Sequence, residues 1–250
     1  MANENGRIGW NKNVITGLEK NPLMEGVFGE FNKAFLIGVI TEKIELSHVV
    51  KEEKFYRTKV KVKRFSGKRD IVPIIIPEEI VQRELSGNIV GKWVTILGQY
   101  RSYNRTDKDE SIHLELFLFA KMMKISKSKE EINEYIKELL RDDRKICVNN
   151  LLYIDGYICK KPNFRYTPSG IKICDLIIAV NRICGKSDYI PFIAWEEVAD
   201  WAEELKVGSH VKLYGRLQSR EYYKTISKNP KCGEWKITYE VSIIRVQHVM

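Results

Sequence analysis

One stretch near the C-terminal end combines cations and aromatic rings at strand spacing: residues 212–222, KLYGRLQSREY. Side chains alternate along a strand, so Val211, Leu213 and Leu217 predict a core face. The opposite face would carry Lys212, Tyr214, Arg216, Gln218, Arg220 and Tyr222. Cations contact phosphates and flat rings stack on bases, which is the chemistry of a surface for single-stranded nucleic acid. The alternative is a solvated strand face, since Lys, Arg and Tyr are common on the exposed side of antiparallel sheets.

The overall charge favours an anionic partner. The 250 residues carry a net charge of +9, with a pI of about 9.2, which favours nucleic acid or a membrane surface. No window approaches the ~18 apolar residues of a membrane span, and the polar N-terminal residues lack the apolar region of a signal peptide. We therefore expect a cytoplasmic protein without a membrane partner.

The cysteines do not have the spacing of a metal site. Cys147, Cys159, Cys174, Cys184 and Cys232 form no Cys-x-x-Cys pair, and no histidine pair lies near them. We expect reduced, mostly buried thiols and no zinc. No nucleophile–base or metal-ligand spacing stands out elsewhere, so we expect neither a cofactor nor an enzyme.

Short strands and turns dominate the rest of the chain. Strand-like segments cover 34–40, 55–65, 71–76, 91–103 and 112–122, with a short helix beginning at Pro77. In the second half, strands at 149–158 and 171–181 flank a turn-rich segment that predicts a loop or hairpin, and 196–206 predicts a helix. Five short strands with a helix between the third and the fourth are typical of an OB-fold barrel.

The two halves repeat each other. Gly38 and Gly156 are 118 residues apart (156 − 38), as are Pro73 and Pro191 (191 − 73). The same order recurs, with an offset of 117, in Gly91 and Gly208 and in Gly98 and Gly215. Because strand, helix and strand recur in this order, we infer an internal duplication.

A helix is expected between the halves, where Ser128 to Glu131 have the form of a capping box. The predicted fold is mainly β, with two tandem OB-fold barrels joined by this amphipathic helix. The expected boundaries are residues 1–125 for the first barrel, 126–144 for the linker and 145–250 for the second barrel.

Short motifs of the second half occur in an order known from one family. They are Asn150, Gly156, Pro162, RYTPSG at 165–170, AVNR at 179–182, Ala194-Trp195, Gly208-Ser209, Gly215-Arg216-Leu217 and Glu240-Val241. In these motifs, residues 149–248 resemble the bacterial single-stranded DNA-binding protein family, and the first half resembles it only through the duplication. The resemblance implies an OB-fold that wraps single-stranded DNA in replication, recombination or repair, without catalysis.

The resemblance and the strand faces together predict the contact residues. Family stacking positions fall on Tyr189, Trp195 and Tyr222, of which the first two have the same strand parity. The full set in the second half is Arg165, Tyr166, Lys172, Arg182, Tyr189, Trp195, Lys212, Tyr214, Arg216, Arg220 and Tyr222, and in the first half it is Arg101, Tyr103 and Arg105.

Three departures from the family pattern bear on function. The first half has Ile71 and Pro77 at the positions of Tyr189 and Trp195, which predicts a weaker or structural first barrel. A further stacking position, near Cys184, lacks its ring. The sequence stops at Met250, directly after the last strand, so the acidic tail that recruits partners in the family is not expected.

Because the family assembles four OB domains, a chain with two predicts a homodimer.

An alternative function is a primosome-like adaptor, whose OB-fold barrels mainly bind protein partners. The expected lack of a tail and the altered first half favour it. A stable protein partner together with weak DNA affinity would support the adaptor, whereas tight oligonucleotide binding without a partner would support the DNA-binding hypothesis. The sequence leaves the preference for DNA or RNA open.

Overall fold

The described part of the first half consists of strands and one short helix. The computed structural model describes residues 31–64, 66–85, 87–106, 110, 112–140, 149–225 and 233–249. The strands of the first half are β1 (Asn32–Ile40), β2 (Glu45–Val50), β3 (Glu53–Lys63), β4 (Arg69–Pro77), β5 (Trp93–Thr106) and β6 (Ile112–Ser126). Helix α1 (Glu78–Glu84) lies between β4 and β5, as predicted.

The second half repeats this order. Helix α2 (Lys129–Leu140) precedes it. Its strands are β7 (Asn150–Ile158), β8 (Asn163–Tyr166), β9 (Lys172–Asn181), β10 (Ser187–Trp195), β11 (His210–Thr225) and β12 (Gly233–Val249). Helix α3 (Glu197–Glu203) lies between β10 and β11.

Strand pairing closes into a ring in each half. In the first half, β1 pairs with both β3 and β5, and the ring continues through β4 and β6. In the second half, β7 pairs with β9 and β11, and β10 and β12 complete the ring. The β4–β6 and β10–β12 pairs are parallel. This is the five-stranded arrangement of the OB-fold, so the predicted tandem fold is confirmed.

Two equivalent buried amides support the duplication. Asn32 Nδ2 donates to the Tyr100 carbonyl at 2.6 Å, and its Oδ1 accepts from the Tyr100 amide at 2.9 Å. Asn150 makes the same pair of bonds to Leu217, at 2.7 and 2.9 Å. The asparagines are 118 residues apart (150 − 32) and their partners 117 (217 − 100). A buried amide is costly unless it is paired, so each half uses the same solution to connect its first and fourth ring strands.

Four of the repeated glycines, Gly38, Gly98, Gly156 and Gly215, lie where strands approach closely. A Cβ at Gly98 would lie 2.1 Å from the Phe119 carbonyl oxygen, and one at Gly215 would lie 2.4 Å from Val241 Cγ1. Any larger side chain would push β6 or β12 away from the barrel.

Gly98→Ala is expected to lower the free energy of unfolding by about 3 kcal/mol, because the added methyl group meets backbone rather than a side chain that can rotate away. Urea denaturation measures the change. Gly87→Ala is the matched control, since its Cβ meets nothing within 4 Å and only its φ of 68° is strained, which costs about 1 kcal/mol. Equal losses in the two variants would contradict the close approach at Gly98.

The two barrels share one sheet. β1 pairs with β7 in antiparallel register, with Lys33 opposite Tyr153 and Phe35 opposite Leu151. The twelve strands therefore form one continuous sheet, with β2 and β8 at its edges. This pairing gives the halves a defined relative orientation, so residues of one half reach the surface of the other.

Helix α2 begins with the predicted cap. Ser128 Oγ accepts the Glu131 amide at 3.2 Å, and Glu131 Oε2 accepts the Lys127 amide at 2.7 Å. Ile132 is buried where the helix packs against β5 and β6. Within the described ranges, none of the helices has the length and apolar character needed to cross a bilayer.

The hairpin of β2 and β3 was not predicted. The side chains of β2 are mostly exposed, so the strand lacks the alternation that marks a buried face. Its turn contains no glycine and uses Lys51 and Glu52 at positive φ, 48° and 70°. In the second half, the predicted loop or hairpin is the β8–β9 hairpin.

The described cysteines differ in exposure. Cys174 is buried, and burial raises the pKa of its thiol to about 11. Cys159 is half-buried and Cys184 is exposed, so burial does not extend to all the thiols. Cys147 and Cys232 lie outside the described residues. In the part of the chain that the structure describes, no cluster of three or more His, Cys, Asp or Glu could hold a metal ion.

Candidate nucleic-acid interface

A buried ion pair joins the halves at the turn between β3 and β4. Arg64 Nε and Nη2 each donate to Asp70 at 2.6 Å. Asp70 also accepts the Ser219 amide of the second half at 2.8 Å, and Ser219 Oγ accepts the Ile71 amide at 3.0 Å. We call this arrangement the Arg64 clasp. It holds β4 of the first half against β11 of the second.

The same arrangement occurs on the other side with the halves exchanged. Arg182 donates from Nε to Asp188 Oδ2 at 2.7 Å and from Nη2 to Asp188 Oδ1 and to the Ser102 carbonyl, the last at 2.9 Å. Asp188 Oδ1 accepts the Ser102 amide at 2.6 Å. In this Arg182 clasp the guanidinium is committed to protein acceptors. Arg182 thus connects the barrels, and its role as a nucleic-acid contact stays a prediction.

A basic groove lies beside the Arg64 clasp, where the first half meets the second. Its volume is about 840 Å³. Two acids line it, Glu221 and Glu240. Six cations line it as well: Arg64, Lys68, Arg69, Arg165, Arg216 and Arg220. The cations thus outnumber the acids, so the groove favours a polyanion. Arg64, Lys68 and Arg69 belong to the first half and were missed, because nothing local in the sequence places the β3–β4 turn beside β11.

Arg216 is the most deeply placed of the predicted cations in this groove. Its Nε is buried and has no hydrogen-bond partner among the described residues. Burial and the nearby Arg64 both lower the pKa of its guanidinium, while Asp70 acts in the opposite direction. A phosphate in the groove would offset both the lost solvation and the repulsion between the two arginines.

Trp195 and Tyr189 share the outer face of β10, as their parity predicted. Trp195 is half-buried and forms part of the groove wall, with its Nε1 donating to Ser242 Oγ at 3.2 Å. Tyr189 is 48% exposed and its amide donates to Ser102 Oγ at 2.8 Å, so it lies at the Arg182 clasp. The two rings are thus both accessible, but they lie at opposite ends of the strand.

The β11–β12 ribbon extends the interface beyond the barrel. Arg220 lines the groove, and Tyr222 lies two residues further on the same face, 36% exposed and opposite Lys236. On the other face, Tyr223 and Trp235 pack edge to face with ring centroids 5.5 Å apart. Trp235 is 72% exposed. Sequence reasoning missed it, although its place opposite Tyr223 follows once the register of the ribbon is known.

The beginning of β11 does not belong to the groove. Tyr214 is only 4% exposed and packs against Tyr153, with ring centroids 5.1 Å apart. Lys212 pairs with Asp155 at 3.4 Å. Here β11 pairs with β7, in the middle of the sheet shared by both barrels, so neither residue borders the groove. Burial argues against a stacking role for Tyr214, whereas the role of Lys212 as a contact stays a prediction.

The β8–β9 hairpin divides its predicted residues between two faces. Arg165 faces the groove and makes an exposed bidentate ion pair with Asp175, at 2.6 and 3.2 Å. Tyr166 lies opposite Lys172 on the other face, where Lys172 pairs with Asp200 at 2.7 Å. Of these residues only Arg165 lines the groove.

The predicted residues of the first half lie on β5. Tyr103 is 59% exposed, and Arg105 pairs with Glu115 at 2.6 Å. The Arg101 guanidinium lies over the Phe119 ring, 3.9 Å from its centroid. Phe119 was not among the predicted residues.

Two OB-fold rings that share a sheet, with a basic groove that Trp195 helps to line, define a tandem OB-fold protein. Residues 149–248 match the model of the single-strand binding protein family. The resemblance of the second half to that family, which its motifs predicted, is thus confirmed.

Curated relatives named single-stranded DNA-binding protein also match parts of the chain. The single-stranded DNA-binding protein of Thermus thermophilus is 29% identical over 178 residues, a match that covers 66% of this chain and 62% of the relative. That of Bacillus cereus is 35% identical over 80 residues, 29% of this chain and 47% of the relative. The chain thus spans less than two thirds of the length of these relatives.

The likeness to solved structures concerns the fold. The crystal structure of wild-type single-stranded DNA binding protein from Thermus aquaticus superposes with a TM-score of 0.62 at 18% identity. The superposition covers 86% of this chain and 91% of that one. Both halves of the chain therefore take part in the shared fold.

Proposed function

We propose that this protein binds single-stranded DNA without sequence preference, by stacking bases on exposed rings and pairing phosphates with cations. The observation that carries the proposal is the groove at the Arg64 clasp, which is lined by six cations and by the Trp195 ring. The incompletely bonded Arg216 lies inside it. The matched relatives, which carry the name single-stranded DNA-binding protein, support this choice of ligand.

Stacking explains why the ligand would be single-stranded. A ring such as Trp195 can stack only on a base whose face is free, and a duplex hides those faces. Each stacked base contributes about 1–3 kcal/mol, and each OB-fold covers ~4–16 nucleotides. We propose that Tyr189, Trp195 and Tyr222 supply rings in the second half. Arg165, Arg216 and Arg220 supply charge, together with Lys68 and Arg69 of the first half.

The organisation of the protein follows from the same proposal. We assign residues 1–125 and 145–250 to two binding units and 126–144 to the connection between them. Two such chains would assemble as a homodimer with four OB-fold barrels. The role would be to hold and protect single strands during replication, recombination or repair, by binding and without catalysis.

Titrations with oligo(dT), duplex DNA and RNA at two salt concentrations test the proposal. If Lys68, Arg69, Arg165, Arg216 and Arg220 each neutralise one phosphate, the plot of log K against log salt has a slope of about −3.5 (−0.7 × 5) for oligo(dT). Duplex DNA is expected to bind much more weakly. Duplex binding as tight as oligo(dT) binding would contradict the proposal, and weak DNA binding with a stable protein partner would support the adaptor instead.

A further inference from the structure

In the second half, the neighbours of the Trp195 ring lie on strands β9 and β12. Trp195 lies opposite Ile173 on β9, and its indole nitrogen bonds to Ser242 on β12. The β10–β12 pairing sets Ile193 beside Ser242. One ring is therefore bordered by an aliphatic residue and a serine on the neighbouring strands.

In the first half, aromatic rings lie on the strands next to the position that corresponds to Trp195. Pro77, the counterpart of Trp195, lies opposite Phe55 on β3. The β4–β6 pairing sets Ile75 beside Phe119, as the β10–β12 pairing sets Ile193 beside Ser242. Phe55 and Phe119 thus stand where the second half has Ile173 and Ser242. The aromatic surface of the first half has moved to the neighbouring strands.

These rings form a half-exposed cluster. The centroids of Phe55 and Phe119 are 6.0 Å apart, and the exposed His48 ring stacks on Phe55 at 5.0 Å with an interplanar angle of 13°. Both phenylalanines keep part of their surface in solvent. Flat, partly exposed rings are the element that base stacking requires.

Two cations border the same cluster. The Arg101 guanidinium lies 3.9 Å and the Lys121 ammonium 5.2 Å from the Phe119 centroid. Burial lowers the pKa of both groups. The pKa of Lys121 is lowered further by Arg101, although Glu79 and Glu53 act in the opposite direction. A phosphate here would relieve the repulsion between the two cations.

Arg101 shares two features with Arg216, although its Nη2 also donates to Gln99 Oε1 at 2.7 Å. Its Nε is also buried without a hydrogen-bond partner among the described residues. It lies on β5, the counterpart of β11, and its pKa is lowered by Arg182, the clasp arginine of the opposite half, just as Arg64 lowers that of Arg216. Each half thus combines an aromatic wall, an incompletely bonded arginine and a clasp arginine from the other half.

We propose that Phe55, Phe119, Arg101 and Lys121 form a second binding surface for single-stranded DNA. This Phe119 surface rests on the proposed function for its ligand class, but it uses residues separate from those of the Trp195 groove. The expectation from positions 71 and 77, where the rings are lost, was a weaker or structural first barrel, and this proposal departs from it. A strand long enough to reach both halves would contact rings on each.

The test compares a variant that removes both rings with one that keeps them. Phe55→Leu/Phe119→Leu preserves apolar bulk but not flat rings, whereas Phe55→Tyr/Phe119→Tyr is the matched control. With a dT oligomer of about 35 nucleotides, long enough to exceed a single OB-fold site, we expect the leucine variant to bind roughly tenfold or more weakly. We also expect fewer nucleotides occluded per chain. The tyrosine variant should stay within about twofold of the unaltered protein.

The outcomes separate this inference from the proposed function. If the unaltered protein does not bind oligo(dT), the proposed function fails. If it binds, and the folded leucine variant keeps full affinity and the same number of occluded nucleotides, only the Phe119 surface is overturned.

A second variant covers the case in which the leucine variant melts early. Lys121→Gln changes an exposed side chain and should make the salt slope less steep by about 0.7. An unchanged slope and affinity in Lys121→Gln would overturn the Phe119 surface.

Discussion

Trp195→Ala is expected to weaken oligo(dT) binding by about 1–3 kcal/mol, which corresponds to roughly five- to 160-fold in Kd. The ring forms part of the wall of the groove, together with the cations that would contact phosphates. Its loss removes a stacking surface while the phosphate contacts remain. The binding energy should therefore fall without a large change in the salt slope.

Trp195→Phe is the matched control for this experiment. It keeps a flat ring and loses only the hydrogen bond from Nε1 to Ser242, so most of the affinity should remain. Fluorescence anisotropy of a labelled oligo(dT) gives Kd, and a melting curve verifies folding. A folded Trp195→Ala variant that binds like the unaltered protein would remove Trp195 from the interface.

Asp188→Ala is expected to cause the largest loss of stability, about 3–5 kcal/mol, because it leaves the buried partners of a charge unpaired. The Asp188 side chain is 1% exposed and accepts bonds from Arg182 and from the Ser102 amide. Without it, a half-buried guanidinium and a backbone amide of the other half both lose their acceptor. The connection between the barrels on that side is weakened as well.

Asp175→Ala provides the comparison for Asp188→Ala. Asp175 also forms a bidentate pair with an arginine, Arg165, but the two side chains are 36% and 46% exposed. Exposed pairs of this kind contribute about 0–1 kcal/mol. Urea denaturation of both variants measures the difference. Similar losses of unfolding free energy in the two variants would show that burial does not strengthen the ion pair of the Arg182 clasp.

The clasps also bear on binding. Each one holds an arginine of one half near a half-buried arginine of the other, Arg64 near Arg216 and Arg182 near Arg101. The positive potential at both surfaces therefore depends on how the halves are joined. Loosening a clasp should lower DNA affinity even though no contact residue has changed.

Features that depend on neighbours in the chain were predictable. The capping box at Ser128, the common parity of Tyr189 and Trp195, and the repeated glycines follow from helix and strand geometry over a few residues. The duplication made it possible to predict the whole fold from these local features, because the same order of strands and helix occurs in both halves. The turn of β2 and β3, which uses Lys51 and Glu52 at positive φ, gave no such signal.

The amino-acid sequence alone determined most of the strands along the chain, the core-facing residues of β11 and the kind of chemistry that its other face offers, because these depend on local periodicity and residue type. The tertiary structure decided which cations are available. It turned Arg182 into a connection between barrels, placed Tyr214 in the middle of the shared sheet, and brought Lys68 and Arg69 to a groove of the other half. Each of these outcomes depends on the pairing of β1 with β7, which links residues as distant in the chain as Lys33 and Tyr153. No local pattern encodes a contact over that separation.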